Sequence, residues 1–151
     1  MYRIAIQFIA EKTLAPKPVF LRKWAKQALS KKRESGEITI RVVDENEMTT
    51  LNHKYRHKSY PTNVLSFPFE MPKEIDFENI FLGDIVICAT VVNREAEEQH
   101  KSQDAHWAHM IVHGVFHLLG YDHEEEKEAT LMESLEIEVM QTLGFHNPYA
   151  S

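Results

Sequence analysis

The chain has 151 residues, 43% hydrophobic and 26% charged, which supplies one soluble core and leaves too little length for a two-domain enzyme. No apolar run approaches the ~20 residues of a membrane-spanning helix, and the N-terminus lacks the basic-then-apolar pattern of a secretion signal. A single cysteine, Cys88, excludes an internal disulfide and a thiolate-cluster metal site. These features predict a cytoplasmic protein with no membrane partner. The net charge of −6 conceals a division: residues 1–60 hold 13 of the 17 basic and 6 of the 23 acidic side chains, a balance of +7, and the remainder carries −13. A basic half suits a polyanion, and an acidic half suits solvation or metal-site partners.

Tyr2 to Ile9 reads as a strand, and Pro16-Lys17-Pro18 punctuates the chain before a helix. Leu21, Trp24, Ala25, Ala28 and Leu29 recur at the spacing of a core-facing stripe, surrounded by Arg22, Lys23, Lys26, Lys31 and Lys32. Ile38, Ile40 and Val42 alternate with Thr39 and Arg41, the period of a half-buried strand. Asp44 with Glu47 three residues later predicts a capped helix through Met48 and Leu51 to Tyr55. It ends near the basic cluster Lys54, Arg56, His57 and Lys58. Pro61-Thr62-Asn63 breaks the chain before a short strand from Val64 to Phe69. The continuously apolar Ile85, Val86 and Ile87 place a strand from Leu82 to Cys88 in the interior of a sheet. Helices over about 91–99, 103–118 and 125–143 complete the chain. This order predicts one α+β domain, a mixed β-sheet of about four strands packed with helices.

The chemistry concentrates in His113-Gly114-Val115-Phe116-His117-Leu118-Leu119-Gly120-Tyr121-Asp122-His123. His113 and His117 lie four apart on a predicted helix, so both side chains leave one face about 6 Å apart. Gly120 suits the left-handed residue that ends a helix, and the reversal can return His123 to the same ion. Three protein nitrogens with an open fourth position is the arrangement of a catalytic zinc. The pattern HxxxHxxGxxH arises by chance in about one such sequence per thousand. His109 extends the same stripe, either orienting a ligand or resting against the core. His53, His57, His100, His106 and His146 read as surface or satisfied polar residues.

This spacing is zincin-like, that of the zinc-protease motif HExxHxxGxxH, except that position 114 is glycine. The missing glutamate normally takes a proton from the nucleophile and returns it to the leaving amine. Its loss disfavours peptide hydrolysis and suits a substrate with a better leaving group or its own nucleophile, such as a ribose 2′-hydroxyl. Asp122 and Glu124 are the alternative bases, and Asp122 is equally a candidate to orient an imidazole. A phosphodiester also needs its charge balanced, and Arg56 offers a planar fork for two phosphate oxygens. The competing reading of Arg56 is a solvated helix end.

Taken together, these segments resemble the YbeY-type bacterial endoribonucleases, the ribosomal RNA maturation factors. The resemblance rests on His113–His123, Ala105-His106-Trp107-Ala108-His109-Met110-Ile111-Val112, the TNVLSFPFE segment 62–70, the LGDIVIC segment 82–88 and the ITIRVVD segment 38–44. It covers roughly residues 38–149, and residues 1–36 carry no specific motif. It implies a zinc-dependent endoribonuclease of single-stranded RNA, acting in 3′-end maturation of small-subunit ribosomal RNA and in ribosome quality control. It further implies His113, His117 and His123 as ligands of one Zn2+ per chain, and Arg56 in a groove lined by the TNVLSF segment. The alternatives are a metalloprotease or amide hydrolase using the same motif, and a non-catalytic ribosome-assembly factor stabilised by zinc.

Overall fold

Alternating side chains divide a strand between two faces, and here both faces are used. The computed structural model describes residues 1–69 and 80–150; Glu70, the last residue of the TNVLSFPFE segment, lies outside them. In chain order the elements are β1 (Tyr2–Phe8), a short 3-10 turn (Lys12–Leu14), α1 (Pro18–Leu29), β2 (Gly36–Val43) and α2 (Glu45–Arg56). They continue with β3 (Val64–Pro68), β4 (Phe81–Cys88), α3 (Ala89–Glu98), α4 (Gln103–Leu118) and α5 (Glu126–Thr142). The strands lie in the order β1-β2-β4-β3. β1, β2 and β4 run parallel, and β3 pairs antiparallel to β4. This is the α+β fold with a four-stranded mixed sheet that the pattern predicted, and the apolar run of β4 is interior.

Ile38, Ile40, Ile85 and Ile87 are fully buried on one face, against the Leu21–Leu29 stripe of α1 and against α4. On the reverse face Val43, Leu65, Val86 and Cys88 close over Met48 of α2. The hub is α4, which touches β3, β4, α1, α3 and α5. Its Trp107 and Phe116 are among the largest fully buried side chains, and truncating either to alanine costs about 3–5 kcal/mol.

One boundary and one cap differ from expectation for physical reasons. Helix α3 starts at Ala89, directly after β4, and its N-cap Cys88 makes no side-chain cap, so no start signal stands in the sequence. Asp44 does cap α2, accepting from the Glu47 N–H at 2.8 Å. The Glu47 carboxylate is drawn instead to Arg41 Nη2, 2.6 Å away, so the capping arrangement is made on one side. Among the described residues no helix is long and apolar enough to cross a membrane.

Candidate metal centre

Helix α4 carries His109, His113 and His117 at successive four-residue steps, and it stops where Gly120 adopts φ +97°. The Gly120 N–H donates to His117 O and the Tyr121 N–H to Phe116 O, each at 3.0 Å. These are the paired bonds of a glycine-terminated helix end. The reversal returns His123 toward the helix, its ring centroid 5.1 Å from that of His117 and 5.6 Å from that of His113. One ring nitrogen from each of His113, His117 and His123 falls within 4.8 Å of the others.

Hydrogen bonds on the far side of two rings set their tautomers. The Tyr121 carbonyl only accepts, so His117 Nδ1–H donates to it at 2.9 Å. His113 Nδ1 lies 3.0 Å from Glu136 Oε2, and a carboxylate likewise accepts. Burial, reinforced by the neighbouring His113 and His123, pushes the His117 pKa down, which favours its neutral ring. The two Nε2 atoms lie 3.1 Å apart, within hydrogen-bond distance; with both rings protonated on Nδ1 alone they would present two lone pairs, which a shared cation satisfies. Two imidazole ligands on a tetrahedral zinc at about 2.0–2.1 Å stand about 3.3 Å apart. The donor set fits zinc in kind, and the helix-borne pair fits it in spacing as well.

Behind the cluster lies a network that no local spacing announces. Glu136 of α5 is 1% exposed. Its Oε1 accepts from His109 Nε2 at 2.6 Å and from the Tyr149 hydroxyl at 2.7 Å. Burial alone would raise the Glu136 pKa, but the hydrogen bonds from His109 and His113 outweigh it and hold the carboxyl down to about 2. Burial and the Glu136 charge push the Tyr149 pKa up, so the phenol stays a donor. His109 thus does both things its position allowed: it is buried, and it helps hold the carboxylate that orients His113. Asp122, the candidate for such a role, accepts instead from the His123 N–H at 2.7 Å, with a carboxylate oxygen 4.0 Å from His123 Nδ1. His106 is buried and satisfied on one side only: its Nε2 lies 3.0 Å from Glu95 Oε1, while its Nδ1 has no hydrogen-bond partner among the described residues.

Gly114 is pressed against the sheet. A Cβ there would stand 3.0 Å from Ile85 Cγ2 and 3.3 Å from Ser66 Oγ, and Ser66 Oγ donates to the Gly114 carbonyl at 3.0 Å. The position occupied by glutamate in zinc proteases here faces a strand. A cleft of about 540 Å³ opens over the three histidines. One wall is Thr62, Asn63, Val64, Leu65 and Ser66, and Arg56, Asp122 and Glu124 also line it. Arg56 is the last residue of α2, followed by His57 at φ +59°. It is therefore both an exposed helix end and part of the cleft. Lys54, His57 and Lys58 are not among the lining residues.

The fold and cluster define an α+β protein with a three-histidine metal-type site at the floor of a cleft. The family model for Endoribonuclease YbeY matches residues 9–144. Endoribonuclease YbeY of Nitrosococcus oceani is 51% identical over 148 residues, 98% of this chain and 97% of that protein. Endoribonuclease YbeY of Pseudomonas putida is 55% identical over 135 residues, 89% and 85% of the two chains. The solution structure of TM1509 from Thermotoga maritima shares the fold, with a TM-score of 0.59 and 24% identity over the whole of both chains. The chain belongs to the endoribonuclease YbeY family, a family of RNA-cleaving hydrolases. The match begins at residue 9 and so takes in α1, whose amphipathic stripe carries no motif.

Proposed function

We propose that residues 1–151 form a single zinc-dependent endoribonuclease domain that cleaves single-stranded RNA. In this reading it acts in the cytoplasm on small-subunit ribosomal RNA, in 3′-end maturation and in ribosome quality control. The observation that carries the chemistry is the pair of Nε2 atoms 3.1 Å apart, within reach of His123 and below a cleft that Arg56 shares. The activity of the family supports RNA as the substrate.

His113, His117 and His123 would hold the ion through one nitrogen each, and zinc bound there would supply Lewis acidity and a nucleophile at neutral pH. The chain's own residues do the rest. Arg56 binds the scissile phosphate and balances the charge that grows on its oxygens, commonly a large catalytic contribution. Glu136 and the Tyr121 carbonyl fix the two helix-borne rings, so that no reorientation is needed as the substrate reacts. With no carboxylate at position 114, Asp122 and Glu124 are the acidic groups of the cleft available to move a proton.

Cleavage of a single-stranded oligoribonucleotide, measured beside the metal content, tests this reading. The wild-type chain is expected to hold one zinc and cut; His117→Ala is expected to lose both. Equal cutting by the two would remove the metal centre from the chemistry. Arg56→Ala is expected to keep its metal and lose about 10²–10³-fold in rate. Loss of the metal along with activity would make Arg56 structural instead.

A further inference from the structure

Positive charge from the first 60 residues reaches the cleft region from two directions, of which Arg56 is one. The other is the turn between α1 and β2. Lys32 and Arg33 line a smaller hollow of about 290 Å³ together with Leu119, Gly120 and Tyr121. Gly120 and Tyr121 also line the three-histidine cleft, so the two hollows meet across the reversal that ends α4.

Each residue at this junction has chemistry suited to a nucleic-acid strand. Lys32 is exposed, with its ammonium 5.8 Å from the centre of the Tyr121 ring. Arg33 is held in place: its Nε donates to Ser35 O at 2.9 Å, and the Tyr2 hydroxyl donates to its carbonyl at 2.6 Å. Among the described residues neither is ion-paired, whereas the adjacent Lys31 is engaged by Glu138 at 3.0 Å. Acidic groups also stand at the cleft: Asp122 and Glu124 line it, and the exposed Glu125 and Glu126 follow in the chain. A polyanion crossing the histidines is repelled by these carboxylates and attracted to the cations beside Tyr121. Fixed cations beside an aromatic ring are the usual means of holding a single strand without reading its sequence.

We propose that Lys32 and Arg33 form a second phosphate-binding subsite, beyond the Gly120–Tyr121 shoulder from Arg56, which places a single-stranded RNA across the three histidines. The inference rests on the nuclease reading above and adds the direction in which the strand leaves the cleft. It also gives a task to part of the basic first third of the chain, where no motif stands.

The test is binding of a labelled single-stranded 12-mer RNA to the metal-loaded full chain between about 50 and 200 mM salt, with cleavage measured in parallel. Each phosphate contact to a single strand contributes about 0.7 to the salt slope. A Lys32→Ala, Arg33→Gln double variant is therefore expected to lower that slope by about 1.4. Between those two salt concentrations the wild type should lose about sevenfold more affinity than the variant. The variant should raise KM and retain zinc content and kcat at saturating RNA. Lys32→Glu, which leaves the Arg33–Ser35 bond intact, should weaken binding by itself. Lys31→Gln removes one positive charge from the neighbouring position, half of what the double variant removes, and should leave the slope nearly unchanged. If the double variant and Lys32→Glu bind as the wild type does while the wild type still cleaves, the subsite is wrong and the nuclease reading stands. If Lys31→Gln lowers the slope by half as much as the double variant or more, net charge replaces the subsite as the cause. A wild-type chain that neither binds nor cleaves RNA overturns both readings.

Discussion

His113 and His117 reach the candidate centre from the middle of a packed helix, whereas His123 comes from the turn beyond it. The first two rings are half-buried, and each has its outer nitrogen engaged, one by Glu136 and one by the Tyr121 carbonyl. The His123 side chain is 58% exposed, and its nearest charged neighbour is Asp122 at 4.0 Å. Two of the three nitrogens are thus set in place by folding, and the third is delivered by the Gly120 reversal. Affinity for an ion should depend on the packing of α4 for the first pair and on a short stretch of backbone for the third ligand.

The largest predicted effect breaks the packed half. Gly114→Glu would restore the zinc-protease sequence, yet a side chain there runs into Ile85 and Ser66. An overpacked core costs about 1–3 kcal/mol, and a buried unpaired carboxylate adds more. The variant should unfold at markedly lower denaturant concentration than the wild type and show no peptidase activity. A stable Gly114→Glu protein that hydrolyses peptides would show that the position faces the cleft after all.

The next effect contrasts the two carboxylates. Glu136→Gln keeps the volume but removes the charge that accepts from His109, His113 and Tyr149, and zinc affinity should fall by about 10–100-fold. Asp122→Asn, beside the exposed His123, should change affinity less than about threefold. Competition with a chromophoric chelator measures both. Equal losses would erase the distinction between the helix-borne pair and the turn-borne third.

What was legible in the sequence follows the reach of local rules. The period-2 run of β2, the apolar β4, the stripe of α1 and the His113–Gly120–His123 geometry each depend on spacing within a dozen residues, and each stands as read. Glu136 was not legible, because its role requires α5 to cross α4 at the level of His113. Nothing in Glu126–Thr142 distinguishes this glutamate from its acidic neighbours except burial. Arg56 could be placed at a helix end by pattern. Its place beside the histidines depends on α2, β3 and α4 converging: the chemistry of its guanidinium made it a candidate, and the family resemblance put it in the groove. The second basic approach was hidden for the same reason: Lys32 and Arg33 lie almost ninety residues before Tyr121.

The smallest effect concerns the wall that frames the packed half. Asn63, at the head of that wall, donates from Nδ2 to the Glu95 carboxylate at 3.2 and 3.3 Å, and His106 Nε2 lies 3.0 Å from the same group. Burial would raise the Glu95 pKa, but the hydrogen bonds from His106 and Asn63 prevail and lower it from the ordinary 4.5. A carboxyl lowered by folding adds stability that is fully present above its unfolded value and is lost as pH falls through its folded value. Wild type should therefore exceed Glu95→Gln in stability at pH 6–7 by a few tenths to about 1 kcal/mol, a modest amount because the group is partly solvated. The difference should shrink once pH drops below about 4.5. Urea unfolding of both proteins at matched pH isolates this contribution, since acid release of metal from the histidines is common to the two. A difference that stays constant or widens on acidification would mean that Glu95 does not brace the wall as a carboxylate, and that the packed half of the site rests on Glu136, the Tyr121 carbonyl and apolar contacts without it.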